Sequence, residues 1–301
     1  MKLYFYLTMI VLSGVASSAY ANLSVFACEP EWAALATELG GDNVDVYSAT
    51  NGLQDPHHIQ ARPSLIAKIR NTDLVACTGA DLEVGWLPLL LQRASNDNVQ
   101  VGKPGYFMAT QFVKILGIPQ QIDRSQGDVH AAGNPHIQTS PLNILPVARA
   151  LDARMRQLDP VNSALYQSRL ADFETRWKAA LSRWQSMAEP LNNLPIVVHH
   201  ENWIYLEDWL HLNQVATLEE KPGLPPTSGH LSEVLKQMKS SPAKIIIHAA
   251  YQSEKPSRWL SEKTGIPVVD LPFSIGGTEG AKDLFSLYDD TLQRLLKAVS
   301  P

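Results

Sequence analysis

The sequence predicts an α/β protein of two lobes, each with a mainly parallel sheet and flanking helices, joined by one long helix. Three observations carry this reading. Short apolar runs alternate with amphipathic ones from Leu23 to Ala94, and the same alternation resumes after Pro195. Between them, apolar residues recur at threes and fours from about Pro160 to Ala188. The chain has 301 residues, 45% of them hydrophobic and 18% charged, which suits two ordinary globular cores rather than a disordered or fibrous chain.

The elements follow in order. Leu23–Cys28 reads as a strand, Glu31–Leu39 as a helix closed by Gly40-Gly41, and Val44–Ser48 as a second strand. Pro63 opens a helix through Ile69, as proline can in a first turn. A third strand ends at Cys77, and Trp86–Ala94 is helical. In the long central helix Leu165, Phe173, Trp177, Leu181, Trp184 and Ala188 form a core stripe, stopped by Pro190 and Asn192-Asn193. Beyond it, Pro195–His199, Lys244–His248 and Pro267–Leu271 read as strands. Ile204–Leu212, His230–Lys239, Trp259–Thr264 and Ala281–Val299 read as helices. The polar stretch Gln120–Asn134 reads as a mobile loop. No internal repeat is visible. The expected division is 1–21 leader, 22–158 first lobe, 159–189 linking helix and 190–301 second lobe.

The leader is expected from Met1-Lys2, the apolar run Leu3–Val15, and the small residues of Ser17-Ser18-Ala19-Tyr20-Ala21, with cleavage after Ala21. The run falls short of the roughly 20 residues a membrane span needs. Removing it leaves 24 basic against 30 acidic residues, a formal charge of −6. No basic run stands out, so a nucleic-acid partner is not expected. Export would place Cys28 and Cys77 in an oxidising compartment. Each closes a strand-like run, so a disulfide is expected if the strands are parallel neighbours; metal ligation is the alternative.

Nine histidines are present, and their placement matters more than their number. His57, His136 and His200, with the carboxylate of Asp270, each follow a strand or sit in a loop after one. Ligand sites of open α/β sheets form at the carboxyl ends of strands, so these positions can converge in a cleft. Imidazole and carboxylate are suitable zinc ligands, and four complete a tetrahedral shell. Asp55-Pro56-His57 and Asn134-Pro135-His136 share a pattern in which proline stiffens the turn before the histidine. Taken alone, each histidine reads more readily as a turn or surface residue, and the residues by themselves support only a metal cleft.

The pattern resembles the metal-binding receptors of bacterial ABC importers of zinc or manganese. The resemblance rests on Asp55-Pro56-His57 with Pro63-Ser64, Ala76-Cys77-Thr78-Gly79, Leu82-Glu83-Val84-Gly85-Trp86-Leu87 and Asn134-Pro135-His136. It continues in His200-Glu201-Asn202-Trp203-Ile204-Tyr205-Leu206 and Val268-Val269-Asp270. It implies two lobes joined by a helix, metal at their interface, and the ligands His57, His136, His200 and Asp270. Histidine at the third position implies zinc; a shift of one residue would place Glu201 there and favour manganese. The resemblance further implies a periplasmic monomer that serves a membrane permease and is not an enzyme. A periplasmic metallochaperone, as partner or as alternative role, remains open. An exported zinc hydrolase would need a base, for which Glu201 is the only obvious candidate. The family's His-rich loop is reduced here to His130, which could assist as a transient ligand. Ile59 and Gln138 stand where the family has aromatics.

Overall fold

The computed structural model describes residues 22–120, 127 and 129–300. The expected leader lies outside them, as do 121–126 and 128 of the polar loop. The first half runs β1 (Leu23–Ala27), α1 (Pro30–Gly40), β2 (Val44–Ser48), α2 (Pro63–Arg70), β3 (Leu74–Cys77), α3 (Leu87–Ala94) and β4 (Tyr106–Met108). These strands form a parallel sheet in the order β2-β1-β3-β4. The central strand β3 is buried throughout, whereas β2, at the edge, has no fully buried residue. That division explains why β3 reads as a continuous apolar run and β2 does not.

Strand alternation sorts the first lobe into two faces. Val25, Ala27, Leu74 and Ala76 join the large core, while Phe26, Cys28, Val75 and Cys77 face a smaller one under α2 and α3. Because β1 and β3 are direct neighbours, Cys28 and Cys77 come out on the same face. They form a disulfide with Cα atoms 4.8 Å apart. In this oxidised form the pair is not available for metal ligation.

The second half contains α4 (Ile144–Leu158), α5 (Ser163–Ala188), β5 (Pro195–Val198), α6 (Ile204–Leu210), β6 (Asn213–Thr217), α7 (Ser228–Gln237), β7 (Ile245–Ala249), α8 (Lys255–Thr264), β8 (Val268–Leu271) and α9 (Leu284–Val299). Its parallel sheet has the order β6-β5-β7-β8, so each lobe winds its four strands in the same way. The repeat is one of topology, and no repeated residue pattern announces it. Three elements were not read from the sequence. β4 is only three residues long, and β6 is a polar edge strand, Asn-Gln-Val-Ala-Thr. α4 carries a clear helical stripe of Ile144, Val147, Ala148, Leu151 and Met155, but Pro146 sits inside it. Proline is tolerated there because first-turn amides have no intrahelical partner.

The 26-residue α5 buries Tyr166, Phe173, Trp177, Ala180, Trp184 and Ala188. Leu165, expected in the stripe, is 38% exposed, and its neighbour Tyr166 takes the core position. Trp177 and Trp184 pack on Tyr288 of α9 with ring centroids 5.6 and 5.2 Å apart. Trp177 Nε1 also donates to the carbonyl of Pro141 at 3.0 Å, and the Tyr288 hydroxyl donates to that of Gln138 at 2.7 Å. Buried residues of both sheets belong to one continuous cluster around these rings. Near the interface Gly52 runs so close to the backbone of Ile275–Gly277 that a β-carbon there would overlap it.

A hydrogen bond of 2.5 Å from Ser274 to Glu31 Oε2 crosses between the lobes. Burial pushes the Glu31 carboxyl up to about 7, the Ser274 bond opposing this in part. A raised carboxyl binds its proton more tightly in the folded state. Stability from this group is therefore full at low pH and falls as pH rises from about 4.5 through 7. Glu31→Gln keeps an acceptor for Ser274 and removes the buried charge. It is expected to raise the Tm at pH 8 and to leave it nearly unchanged at pH 5, as thermal melts at the two pH values will show.

Candidate metal centre

Two histidines are delivered by the same local device. In Asp55-Pro56-His57 the Asp55 carboxylate accepts from the His57 amide at 3.0 Å. In Asn134-Pro135-His136 the Asn134 side chain accepts from the His136 amide, also at 3.0 Å. Both are side-chain turns of the kind Asp and Asn favour two residues upstream of the donor. Proline in the middle fixes the backbone, so each imidazole leaves its loop in a set direction. The third, His200, follows β5, where the chain bends after the strand.

These rings meet. The centroid of His57 lies 5.1 Å from His136 and 6.3 Å from His200, and His136 lies 6.2 Å from His200. His130 joins them, its centroid 5.2 Å from His57 and 6.0 Å from His136. Ligand atoms of His57, His130 and His136 lie within 4.8 Å of one another, and His57 Nε2 is 3.1 Å from His130 Nε2. Two ring nitrogens facing at that distance suit a shared proton or a shared cation.

Carboxylates set the ring orientations from behind. Asp55 Oδ1 lies 2.7 Å from His57 Nδ1, and Glu219 Oε2 lies 2.7 Å from His200 Nδ1. A carboxylate on Nδ1 favours the proton there and leaves Nε2 as the lone-pair nitrogen of each ring. Glu219, in the loop after β6, also accepts from the Gly223 amide at 2.8 Å and lies 3.5 Å from His199 Nε2. Burial alone would raise both acids. The bonds to His57 and the charges of His57 and His58 hold Asp55 below its ordinary value. The bonds to His199 and His200 bring Glu219 down to about 2. Both are therefore anions at neutral pH.

His136 has no such partner. It is 1% exposed, and neither ring nitrogen has a hydrogen-bond partner among the described residues. Burial, then the charges of His57, His200 and His130, push its pKa well below the ordinary imidazole value. Burial and the charges of His57 and His200 likewise lower His130 to about 4. Both rings are thus neutral at pH 7 and need shed no proton to bind a cation. Two cavities flank the cluster. One, of about 400 Å³, is lined by Asp55, His57, His58, His199, His200 and Glu219. The other, of about 420 Å³, is lined by His130, Asn134, His136, His200 and Glu201.

The structure does not bring Asp270 to this cluster. Val269 and Leu271 take the core face of β8, so strand alternation turns Asp270 to the opposite face. There its carboxylate is 48% exposed, 3.9 Å from His248 Nδ1 and beside Asp290 and Arg294. The residue of that segment that touches the cluster is Phe273, whose ring lies 5.2 Å from His136. At the third position His200 is buried and Glu201 exposed. Sequence reading singled out His57, His136 and His200 as ligands, His130 only as an assistant, and missed Asp55 and Glu219 as supports. The Asp-Pro-His pattern was the available signal for Asp55; nothing local marks Glu219.

Two mixed-order lobes with imidazoles gathered between them define a metal-binding receptor of the kind that serves an importer. The family model described as "ZnuA: Zinc-uptake complex component A periplasmic" matches residues 25–298, and the chain belongs to that family of metal ABC transporter substrate-binding proteins. The manganese ABC transporter substrate-binding lipoprotein PsaA of Streptococcus anginosus is 25% identical over 281 residues, covering 89% of this chain and 85% of its own. The iron ABC transporter substrate-binding lipoprotein MtsA of Streptococcus pyogenes serotype M1 is 24% identical, covering 87% and 83%. A crystal structure of ZnuA superposes with a TM-score of 0.77 at 21% identity, covering 93% of this chain and all of that one. A manganese-bound periplasmic metal-binding protein from Candidatus Liberibacter asiaticus gives 0.74 at 18% identity, covering 92% and 99%.

If Glu219 fixes the His200 tautomer, Glu219→Gln should weaken metal binding by about 10–100-fold, the usual effect of losing such a partner. Asp55→Asn should do the same through His57. Chelator-competition titrations on the folded variants measure both.

Proposed function

We propose that the protein is a periplasmic zinc receptor that captures the ion between its lobes and passes it to an ABC-type membrane permease. The observation that carries this reading is His136, a buried imidazole with both nitrogens unpaired, set among three further histidines. The proposed ligands are His57, His130, His136 and His200. Four nitrogen donors favour zinc over a hard cation such as manganese. Asp270, which family resemblance alone would add, is left out because of its position. The Cys28–Cys77 disulfide accords with an oxidising compartment reached through a cleaved leader. We read the protein as a monomeric carrier and not as an enzyme. Filling the coordination sphere with protein ligands leaves no open position for a reacting water, and hydrolysis needs one.

Mature protein titrated with zinc against competing chelators is expected to bind one equivalent tighter than micromolar; weaker binding would sink the reading. His57→Ala, His136→Ala and His200→Ala are each expected to lower affinity by orders of magnitude. Asp270→Ala and His211→Ala are expected to leave it unchanged. Loss of zinc binding in Asp270→Ala would restore a carboxylate to the ligand set.

A further inference from the structure

The motif Leu82-Glu83-Val84-Gly85-Trp86-Leu87 contributes no group to the histidine cluster, yet it ends against the loop that carries His57. Trp86 is fully buried in the small core under α2 and α3, and its Nε1 donates to the carbonyl of Pro56 at 2.9 Å. That carbonyl belongs to the same peptide unit as the His57 amide, which donates to Asp55 at 3.0 Å. Both polar ends of the Pro56–His57 peptide are therefore gripped, one from within the loop and one by the residue that opens α3. A peptide unit is planar and proline fixes its own φ, so the two grips set the direction in which the His57 side chain leaves the chain. A β-carbon on Gly85 would stand 3.4 Å from the His57 carbonyl oxygen, so the two segments also touch. The corresponding carbonyl at the second histidine, that of Pro135, accepts instead from the nearby Ile137 amide at 2.7 Å.

The other end of this segment is anchored as well. Cys77, just before it, is bridged to Cys28. The buried Glu83 carboxyl accepts from the Thr78 amide at 2.7 Å and from the Gly79 amide at 3.0 Å. Between these bonds Gly79, Ala80 and Asp81 take left-handed backbone, with φ of 85°, 50° and 66°, a conformation that alanine and aspartate adopt under constraint. We propose that Trp86 is a positioning residue for metal capture: through segment 78–86, tied to the Cys28–Cys77 bridge, its indole N–H fixes the direction of the His57 imidazole. This rests on the receptor reading above and deepens it. A ligand free to turn must be ordered when the ion binds, and that ordering weakens affinity; a ring set beforehand avoids the cost.

The test is a double-mutant cycle read as Zn²⁺ affinity of the full mature chain. Trp86→Phe keeps an aromatic ring and removes the N–H. It is placed in three backgrounds: wild type, His57→Ala and His136→Ala. The single-histidine backgrounds each retain three imidazoles, so their weaker binding stays within reach of direct titration. Trp86→Phe is expected to weaken Zn²⁺ binding by about tenfold in wild type and again in His136→Ala, the low end of the loss seen when a group supporting a metal ligand is removed. In His57→Ala it is expected to change nothing further, because the residue it acts through is gone. An equal loss in all three backgrounds would mean a general softening of the lobe and would overturn the proposal. So would an unchanged affinity in wild type; in both cases the receptor reading would stand. A wild type that binds no Zn²⁺ would overturn the receptor reading itself. Should Trp86→Phe fail to fold, benzothienylalanine at position 86, which keeps the shape of the indole with sulfur in place of the N–H, decides by the same three comparisons.

Discussion

A neutral imidazole buried without a hydrogen-bond partner is an unfavourable object. Leaving a buried polar atom unpaired costs about 1–3 kcal/mol, and His136 leaves two. A fold that only had to be stable would place an apolar residue there. The loop that holds His136 is nonetheless tightly built. Asn134 caps the His136 amide, the Tyr205 hydroxyl donates to the Asn134 carbonyl at 2.8 Å, and Asn134 Nδ2 donates to the carbonyl of Glu201 at 2.8 Å. The last two bonds join the two lobes on either side of the cluster. The scaffold thus holds in place a group whose lone pair has nothing to bind within the protein, which is the condition for binding something brought in.

The other rings are arranged around that constraint. His57 and His200 each have an anion on Nδ1, and these anions enter from different lobes, one before its histidine in the chain and one nineteen residues after. The pairing matters electrically because imidazole ligands carry no charge to offset a divalent cation. Asp55 and Glu219 supply two negative charges one ring away. His130 and His136, held neutral by burial, would need to shed no proton to serve as donors in the proposed site. Donors at the front and charge at the back are separate tasks, and different residues perform them.

How much of this was legible in the residues depends on how local each signal is. The parallel strands and the central helix follow from period and length, which are local; the disulfide was expected only if the strands ending at Cys28 and Cys77 were neighbours, and the sheet order supplies that adjacency. β6 escaped because an edge strand with one wet face can be polar, and α4 because a first-turn proline imitates a helix stop. At the site, the Asp55-Pro56-His57 and Asn134-Pro135-His136 patterns were visible because they are short-range, although the sequence reading credited the stiffening to proline and missed Asp55 and Asn134 as acceptors. Asp270 misled for a physical reason. An acid closing an apolar strand looks placed at the sheet's carboxyl edge, but strand alternation decides the face, and the two apolar neighbours had claimed the inner one. Glu219 carries no sequence mark because its partner arrives through the pairing of β5 with β6.

The same topology built twice does not yield two equal halves of a site. The first lobe contributes His57, His130 and His136, whereas the second contributes His200, its supporting Glu219 and the aromatic face of Phe273. Nor can the halves part freely. Trp177, Trp184 and Tyr288 sit in a core that both sheets share. Exposing even one such side chain costs about 1.5–3 kcal/mol or more. A rotation that opened the lobes widely would set that cost against the free energy of binding the ion. The shared core therefore favours a site assembled in advance. In such a site affinity comes from rings already oriented before the ion arrives.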